Sequence, residues 1–174
     1  RMISLAKAAG KAPLYIVHVS AKESVDLIRE ARKAGDTVFG ETCPQYLVLD
    51  ESRYDDPEEG LKFILSPPLR AKEHQAAIWE GIKDATLQVI ATDHCSFDYH
   101  GDKQNGKDDF TKCPNGAPGV ETRMPIVFSE GVSKGRMSLN KFAAVTSTNP
   151  AKIFGMYPKK GVLAVGSDAD IVLM

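Results

Sequence analysis

The chain contains 174 residues, of which 43% are hydrophobic and 26% are charged, and its formal net charge at pH 7 is -1. This composition is typical of a globular domain, and a charge so close to zero argues against nucleic-acid or membrane-surface binding, because both require a basic face. The sequence has no apolar run of membrane-spanning length, its start does not resemble a signal peptide, and its three cysteines form no CxxC pair, so we expect a cytoplasmic protein with reduced thiols.

The first part of the chain alternates helical patterns with apolar runs. The spacing of apolar residues predicts helices over residues 3–9, 20–35 and 72–83, the second of them opening with a capping box from Ser20 to Glu23. Four apolar runs predict strands, over residues 14–19, 37–41, 61–65 and 87–92. This alternation is typical of a parallel α/β sheet.

The second part of the chain begins with a long polar segment rich in Gly, Lys and Asp, over residues 96–119. It is too long for a plain connection, which indicates either a functional loop or a disordered one. Helical patterns follow over 121–135, 139–145 and 150–154, and residues 161–174 predict two short strands around a Gly-Ser-Asp turn.

Four parallel strands amount to about half of a (β/α)8 barrel. A half barrel would leave two long strand edges unpaired and its inner side chains open to water. The chain also begins inside a predicted helix and stops inside a predicted strand. We therefore expect a fragment of a larger protein.

Polar residues end the four predicted strands, and they are the candidates for chemistry. His18 ends the first, residues 41–43 the second, Ser66 the third and residues 93–95 the fourth. In parallel α/β barrels the carboxyl ends of the strands carry the active site, whatever the reaction. The spacing of these residues does not by itself say which reaction they serve.

These segments resemble motifs of the dihydropyrimidinase/D-hydantoinase family of cyclic amidohydrolases, in family order and over essentially the whole chain. The similar segments are 15–20, 40–47, 65–70, 92–97, 114–116 and 161–171. The segment 106–110 resembles dihydropyrimidinases and hydantoinases more than dihydroorotases or allantoinases. The resemblance implies that residues 1–158 are the C-terminal half of a metal-dependent-hydrolase (β/α)8 TIM barrel and that residues 159–174 are returning strands of a small composite β-sandwich.

The resemblance also implies a centre of two metal ions, usually zinc, bridged by a carboxylated lysine and a hydroxide. His18 matches a histidine that binds one ion, and Asp93 matches the aspartate that binds the other ion and shuttles the proton. Taken alone, His18 is more often a core histidine, and Asp93 is more often the cap of a turn. The surrounding motifs favour the metal-binding interpretation for both residues.

Ser66 and Asn115 match family positions that hold the cyclic substrate, mostly through backbone groups. The plainer interpretation is a turn serine before Pro-Pro and a turn asparagine before glycine. For His94 we expect hydrogen bonding rather than metal binding, and for Cys95 a small buried thiol.

Two further histidines, His74 and His100, are expected at the surface. The remaining family ligands, a His-x-His pair, the bridging lysine and another histidine, match nothing in this chain, whose lysines fall on surface-like positions. Two ligands are too few to hold two zinc ions, so the isolated chain is expected to be inactive and metal-poor.

The implied activity of the whole protein is hydrolysis of a cyclic amide, in a 5,6-dihydropyrimidine or a 5-substituted hydantoin, to an N-carbamoyl amino acid by a metal-bridging hydroxide. A homo-oligomer, by family analogy a tetramer, is expected. One alternative is an allantoinase. Another is a non-catalytic relative such as a collapsin response mediator protein; these lack the metal-binding side chains, so the presence of His18 and Asp93 favours the enzyme.

Overall fold

Three parallel strands form the sheet in the computed structural model, which describes residues 1–174. The strands are β1 (Leu14–Ile16), β2 (Val38–Thr42) and β3 (Val89–Ile90), and they lie side by side in the order β1-β2-β3. Leu14 pairs with Val38 and Glu41 pairs with Val89. Because neighbouring parallel strands need a crossover connection, a helical segment must separate each strand from the next.

Helices supply these crossovers and cover the sheet. The first four are α1 (Met2–Ala8), α2 (Lys22–Lys33), α3 (Pro44–Val48) and α4 (Glu73–Lys83). Helices α2 and α4 pack against each other and present apolar residues such as Val25, Ile28 and Ile78 to the core, where all three are fully buried. The predicted α/β alternation is therefore confirmed in this part of the chain.

The third predicted strand, over residues 61–65, is wrong. The chain there forms a short 3-10 helix, Gly60–Phe63, and β2 pairs directly with β3. A short apolar run does not distinguish a strand from another half-buried segment by periodicity alone. Here the carbonyl of Ile64 accepts hydrogen bonds from the Lys103 ammonium and the Gly116 amide instead of from a neighbouring strand.

The start of α2 also differs from its predicted capping box. Ala21 precedes the helix, and no side chain at that position caps it. The amide of Lys22 instead donates to Nδ1 of His74, at 3.0 Å, from the helix α4 that packs alongside. A residue distant in sequence thus binds one of the free amides at the helix start.

The helices predicted in the second part of the chain are confirmed. The two predicted over 139–145 and 150–154 are joined into one continuous helical segment. Helix α5 (Arg123–Val127) continues as a π-helix over Phe128–Ser133. Helix α6 (Leu139–Ala143) continues through a π-helix into α7 (Asn149–Ile153) without a break. The amide side chain of Asn149 donates to the carbonyl of Gln88, just before β3, so this helix is attached to the sheet.

Residues 161–174 form no strand, contrary to the sequence-based expectation. Their apolar side chains are largely exposed; Leu163, Val165 and Leu173 are each at least 80% exposed. A strand needs a partner for its backbone, and this segment pairs with no strand of the chain. The assignment of residues 159–174 to a separate sandwich domain stays a prediction.

The long polar segment 96–119 is built into the fold. It contains two 3-10 helices, Lys103–Gly106 and Phe110–Lys112, and it returns to the segment after β3 where Ala117 forms an isolated bridge with His94. None of the helices in the structure combines the length and the apolar surface needed to cross a bilayer.

Candidate functional site

Two residues at the ends of β1 and β3 have an unusual backbone. His18 and Asp93 both have positive φ, 53° and 51°. Positive φ is uncommon for residues other than glycine, although Lys11 and Ala85 also have it in this chain, and such positions are enriched at functional sites. The two side chains converge: Nε2 of His18 lies 3.5 Å from Oδ1 of Asp93.

A one-residue bulge at the end of β1 turns His18 out of the regular strand. The amide of Leu14 donates to the carbonyl of Thr37, and this register would bring the amide of residue 18 to the carbonyl of Glu41. Val19 makes that bond instead, at 2.7 Å, so one extra residue is inserted between the end of β1 and Val19. Bulges beside active sites re-aim a side chain in this way.

A carboxylate from β2 stands behind the His18 ring. Oε1 of Glu41 lies 3.3 Å from Nδ1 of His18, and the other oxygen, Oε2, accepts a hydrogen bond of 2.6 Å from the hydroxyl of Tyr15. Burial raises the pKa of Tyr15, and the hydrogen bond to Glu41 and its charge raise it further, so the hydroxyl stays a donor. A carboxylate at Nδ1 favours the proton on that nitrogen and leaves Nε2 free as a ligand.

Cys43 lies on the same side of the ring, fully buried, with Sγ 3.6 Å from Nδ1 of His18. The ligand atoms of His18, Glu41 and Cys43 all lie within 4.8 Å of one another and are a second possible metal cluster. Burial raises the pKa of Cys43, and the charges of Glu41 and Asp93 add to that effect, so the sulfur is a neutral thiol in the metal-free chain. We favour the Nε2 side of His18 because that nitrogen faces the carboxylate of Asp93 at an accessible surface.

The chemistry of His18 and Asp93 fits zinc, which takes imidazole nitrogen and carboxylate oxygen at about 2.0–2.2 Å. Two ligand atoms on one tetrahedral ion lie about 3.3 Å apart, close to the 3.5 Å between Nε2 and Oδ1. Each residue would equally be able to hold one ion of a pair. The side chains are 25% and 32% exposed, so the pair faces an accessible surface.

Ser66 and Asn115 also lie together. The Ser66 hydroxyl donates to Oδ1 of Asn115, at 3.2 Å, and both residues are exposed. Gly116, which follows Asn115, packs closely against Cys95, two residues after Asp93. There is no room for a side chain at Gly116, because a Cβ there would lie 2.4 Å from the carbonyl oxygen of Cys95, and its φ is +150°. The sequence-predicted residues thus form two pairs, His18 with Asp93 and Ser66 with Asn115, and Gly116 packs against the residue two positions after Asp93.

The remaining predictions had mixed outcomes. His94 is confirmed as a hydrogen-bonding residue, since its Nδ1 accepts from the amides of Gly119 and Val120 at 3.1 and 3.3 Å. The buried thiol predicted for Cys95 is wrong; the residue is exposed, because the chain from His94 onward runs over the surface beyond the sheet.

Several burial states and contacts near the candidate site were not predicted from the sequence. His100 is exposed as expected, but His74 is mostly covered and caps α2. Lys103 contradicts the expectation that the lysines are superficial, because it is only 3% exposed. Glu41 was among the strand-end candidates, but its contact with His18 and the hydrogen bond that it accepts from Tyr15 were not predicted. These contacts join residues far apart in sequence, so no local pattern signals them.

The chain is similar to known proteins over essentially its whole length. The amidohydrolase family model matches residues 14–174. D-phenylhydantoinase of Escherichia coli O1:K1 / APEC is 54% identical over 174 residues, which cover all of this chain and 38% of that protein. D-hydantoinase of Geobacillus stearothermophilus is 53% identical over 174 residues, covering 99% of this chain and 37% of that protein.

Solved structures give the same result. The crystal structure of dihydropyrimidinase from Brevibacillus agri NCHU1002 matches with a TM-score of 0.93 at 54% identity, covering 96% of this chain and 36% of that one. The chain therefore spans less than two fifths of the length of each of these relatives.

Proposed function

The chain belongs to the amidohydrolase family, in its dihydropyrimidinase/D-hydantoinase group, and on that premise we propose that the whole protein hydrolyses cyclic amides. The substrates are 5,6-dihydropyrimidines or 5-substituted hydantoins, and the products are N-carbamoyl amino acids. The names of the relatives at 53–54% identity support this substrate class. The observation that carries the proposal is the convergence of His18 Nε2 and Asp93 Oδ1 at 3.5 Å.

His18 and Asp93 hold zinc, together with ligands from outside this chain, in this proposal. Zinc supplies Lewis-acid polarisation of the ring carbonyl and lowers the pKa of a coordinated water. Glu41 orients the His18 ring through Nδ1, at 3.3 Å, and Tyr15 holds Glu41 in turn. This support explains how a histidine on a strained backbone keeps one direction.

Asp93 performs the proton transfers. Its carboxylate takes a proton from the attacking water as the new C–O bond forms at the ring carbonyl. It then gives that proton to the ring nitrogen as the C–N bond breaks. The same carboxylate thereby acts first as general base and then as general acid, and it is returned to its ionised form at the end of the cycle.

Ser66 and Asn115 bind the substrate ring in this proposal. Their side chains bond to each other, while their backbone amides and carbonyls make no hydrogen bond within the chain. These free groups are complementary to the N–H and C=O edge of a cyclic amide. Recognition by the backbone would leave the ring substituent to other parts of the site.

We further propose that residues 1–158 are part of the C-terminal half of a (β/α)8 barrel and that residues 159–174 belong to a β-sandwich. The parallel order β1-β2-β3 and the match to about a third of a solved dihydropyrimidinase chain support the first assignment. A cytoplasmic homo-oligomer, by analogy a tetramer, is the proposed form of the whole protein.

The test is to measure zinc content and ring opening in the whole protein, using dihydrouracil, a 5-substituted hydantoin and allantoin. We expect bound zinc and hydrolysis of the first two. His18→Ala should lose zinc and activity, whereas His100→Ala, at an exposed histidine, should keep both. A well-folded, zinc-free and inactive whole protein would instead support the non-catalytic alternative, and preferential opening of allantoin would support an allantoinase.

A further inference from the structure

Lys103 is a buried lysine without a carboxylate partner. Only 3% of its surface is exposed, and none of the ion pairs in the structure includes it. Its ammonium group lies 5.7 Å from the centre of the Phe97 ring. Burial lowers the pKa of Lys103. Burying an ammonium group is unfavourable unless its donors are used, so the partners of this group need an explanation.

Those partners are two main-chain carbonyls from different parts of the chain. The Lys103 ammonium donates to the carbonyl of Ile64 and to the carbonyl of Pro114, each at 2.8 Å. Ile64 lies two residues before Ser66, and Pro114 directly precedes Asn115. The two carbonyls thus belong to the two turns that carry the Ser66–Asn115 pair.

Few other contacts join these turns. The amide of Gly116 donates to the same Ile64 carbonyl at 3.1 Å, and the Ser66 hydroxyl donates to Asn115 at 3.2 Å. The Pro114 carbonyl has only the weak thiol of Cys113, at 3.8 Å, besides Lys103. Loss of Lys103 would therefore leave Pro114 without a strong donor and Ile64 with one donor instead of two.

We propose that Lys103 is a positioning residue that clamps the Ser66 turn to the Asn115 turn and so fixes the spacing of the backbone groups that bind the substrate ring. The ligand part of this inference rests on the proposed function. The clamp itself rests on the two 2.8 Å hydrogen bonds and on the burial of the side chain. Lys103 touches neither His18 nor Asp93 in the structure, so its effect should fall on substrate binding.

The experiment compares Lys103→Met, which keeps the length of the side chain but has no donor, with Lys107→Met at an exposed lysine of the same loop. In the whole protein, Lys103→Met should raise KM for the cyclic amide about tenfold and change kcat less than about threefold, as expected for lost ground-state binding. Lys107→Met should change neither. Equal KM values for the two variants would overturn the proposal, as would a fall in kcat alone.

Hydrogen exchange gives a readout that does not depend on catalysis. The Gly116 amide should exchange at least about tenfold faster in Lys103→Met, while the Leu14 amide in β1 should not change. Unchanged exchange at Gly116 would refute the clamp. A whole protein that opens no cyclic amide would refute the proposed function, and the exchange result would then decide the clamp alone. If Lys103→Met does not fold, Lys103→Gln, which keeps a donor on a side chain one atom shorter, replaces it against Lys107→Gln, and smaller changes in the same directions are expected; no change in either measurement would overturn the proposal.

Discussion

The two pairs of candidate site residues are held in place by different means. His18 and Asp93 follow parallel strands, and their positions are set by backbone hydrogen bonds of the sheet and by the bulge before Val19. Ser66 and Asn115 lie in turns that a buried side chain, Lys103, joins through main-chain carbonyls. The metal-binding side is thus held by the sheet, whereas the substrate-binding side depends on a few hydrogen bonds between turns, of which the two from Lys103 are the shortest. Removing the Lys103 bonds should therefore affect the substrate-binding side more than the metal-binding side.

The largest expected effect is a fall in kcat when Asp93, on the metal-binding side, loses its capacity for proton transfer. Asp93→Asn keeps the size of the side chain but removes its capacity to accept and return a proton. In the whole protein kcat should fall about 10²–10⁴-fold, with a smaller change in KM. Steady-state kinetics on a hydantoin measure both constants, and circular dichroism checks that the variant is folded. Retention of more than a tenth of wild-type kcat would contradict the proton-transfer role.

A smaller effect is expected when the support behind His18 is weakened. Glu41→Gln preserves the shape of the side chain but removes the charge that favours the proton on Nδ1 of His18. Zinc affinity of the whole protein should fall about 10–100-fold, the usual consequence of losing the partner of a metal-binding histidine. Competition with a chelator measures the affinity. Glu51→Gln, at an exposed carboxylate, is the control and should bind zinc as the wild type does.

The smallest effect is expected on the turn side. Gly116→Ala places a Cβ against the Cys95 carbonyl at a φ of +150°, so the Asn115 turn must shift. The free energy of unfolding should fall by on the order of 1 kcal/mol, measured by urea denaturation, and zinc content should not change. Gly135→Ala, where φ is +70° and no atom lies within 4 Å, reports the backbone strain alone. Loss of zinc in Gly116→Ala would mean that the two sides are coupled.

The metal-binding residues were easier to predict from the sequence than the turns of the substrate-binding side, because strand ends follow from local patterns and the contacts of the turns do not. A parallel sheet brings its strand ends to one edge, so apolar runs followed by His18 and Asp93 predicted that these residues lie near one another, while the resemblance to the family motifs was needed to propose a metal-binding role. The run 61–65 was misassigned because its backbone partners, Lys103 and Gly116, are 39 residues or more away along the chain. Apolar periodicity reports which side chains are buried, but it does not report what a carbonyl binds.

Long-range side-chain contacts account for most of what the sequence missed. The cap of α2 by His74 joins residues 52 apart, and the Tyr15–Glu41 bond joins residues 26 apart. No local spacing relates such partners. The exposure of Cys95 was missed for a similar reason, because a position just beyond a buried strand can face either the core or the solvent.

The positive φ of His18 and Asp93 has a consequence for engineering the protein. Glycine would adopt either conformation without strain, whereas each of these side chains makes its turn less favourable. Replacing either residue by glycine would relax the turn but would remove an imidazole or a carboxylate from the proposed metal site. Relief of backbone strain is therefore a poor guide to substitution at these two places.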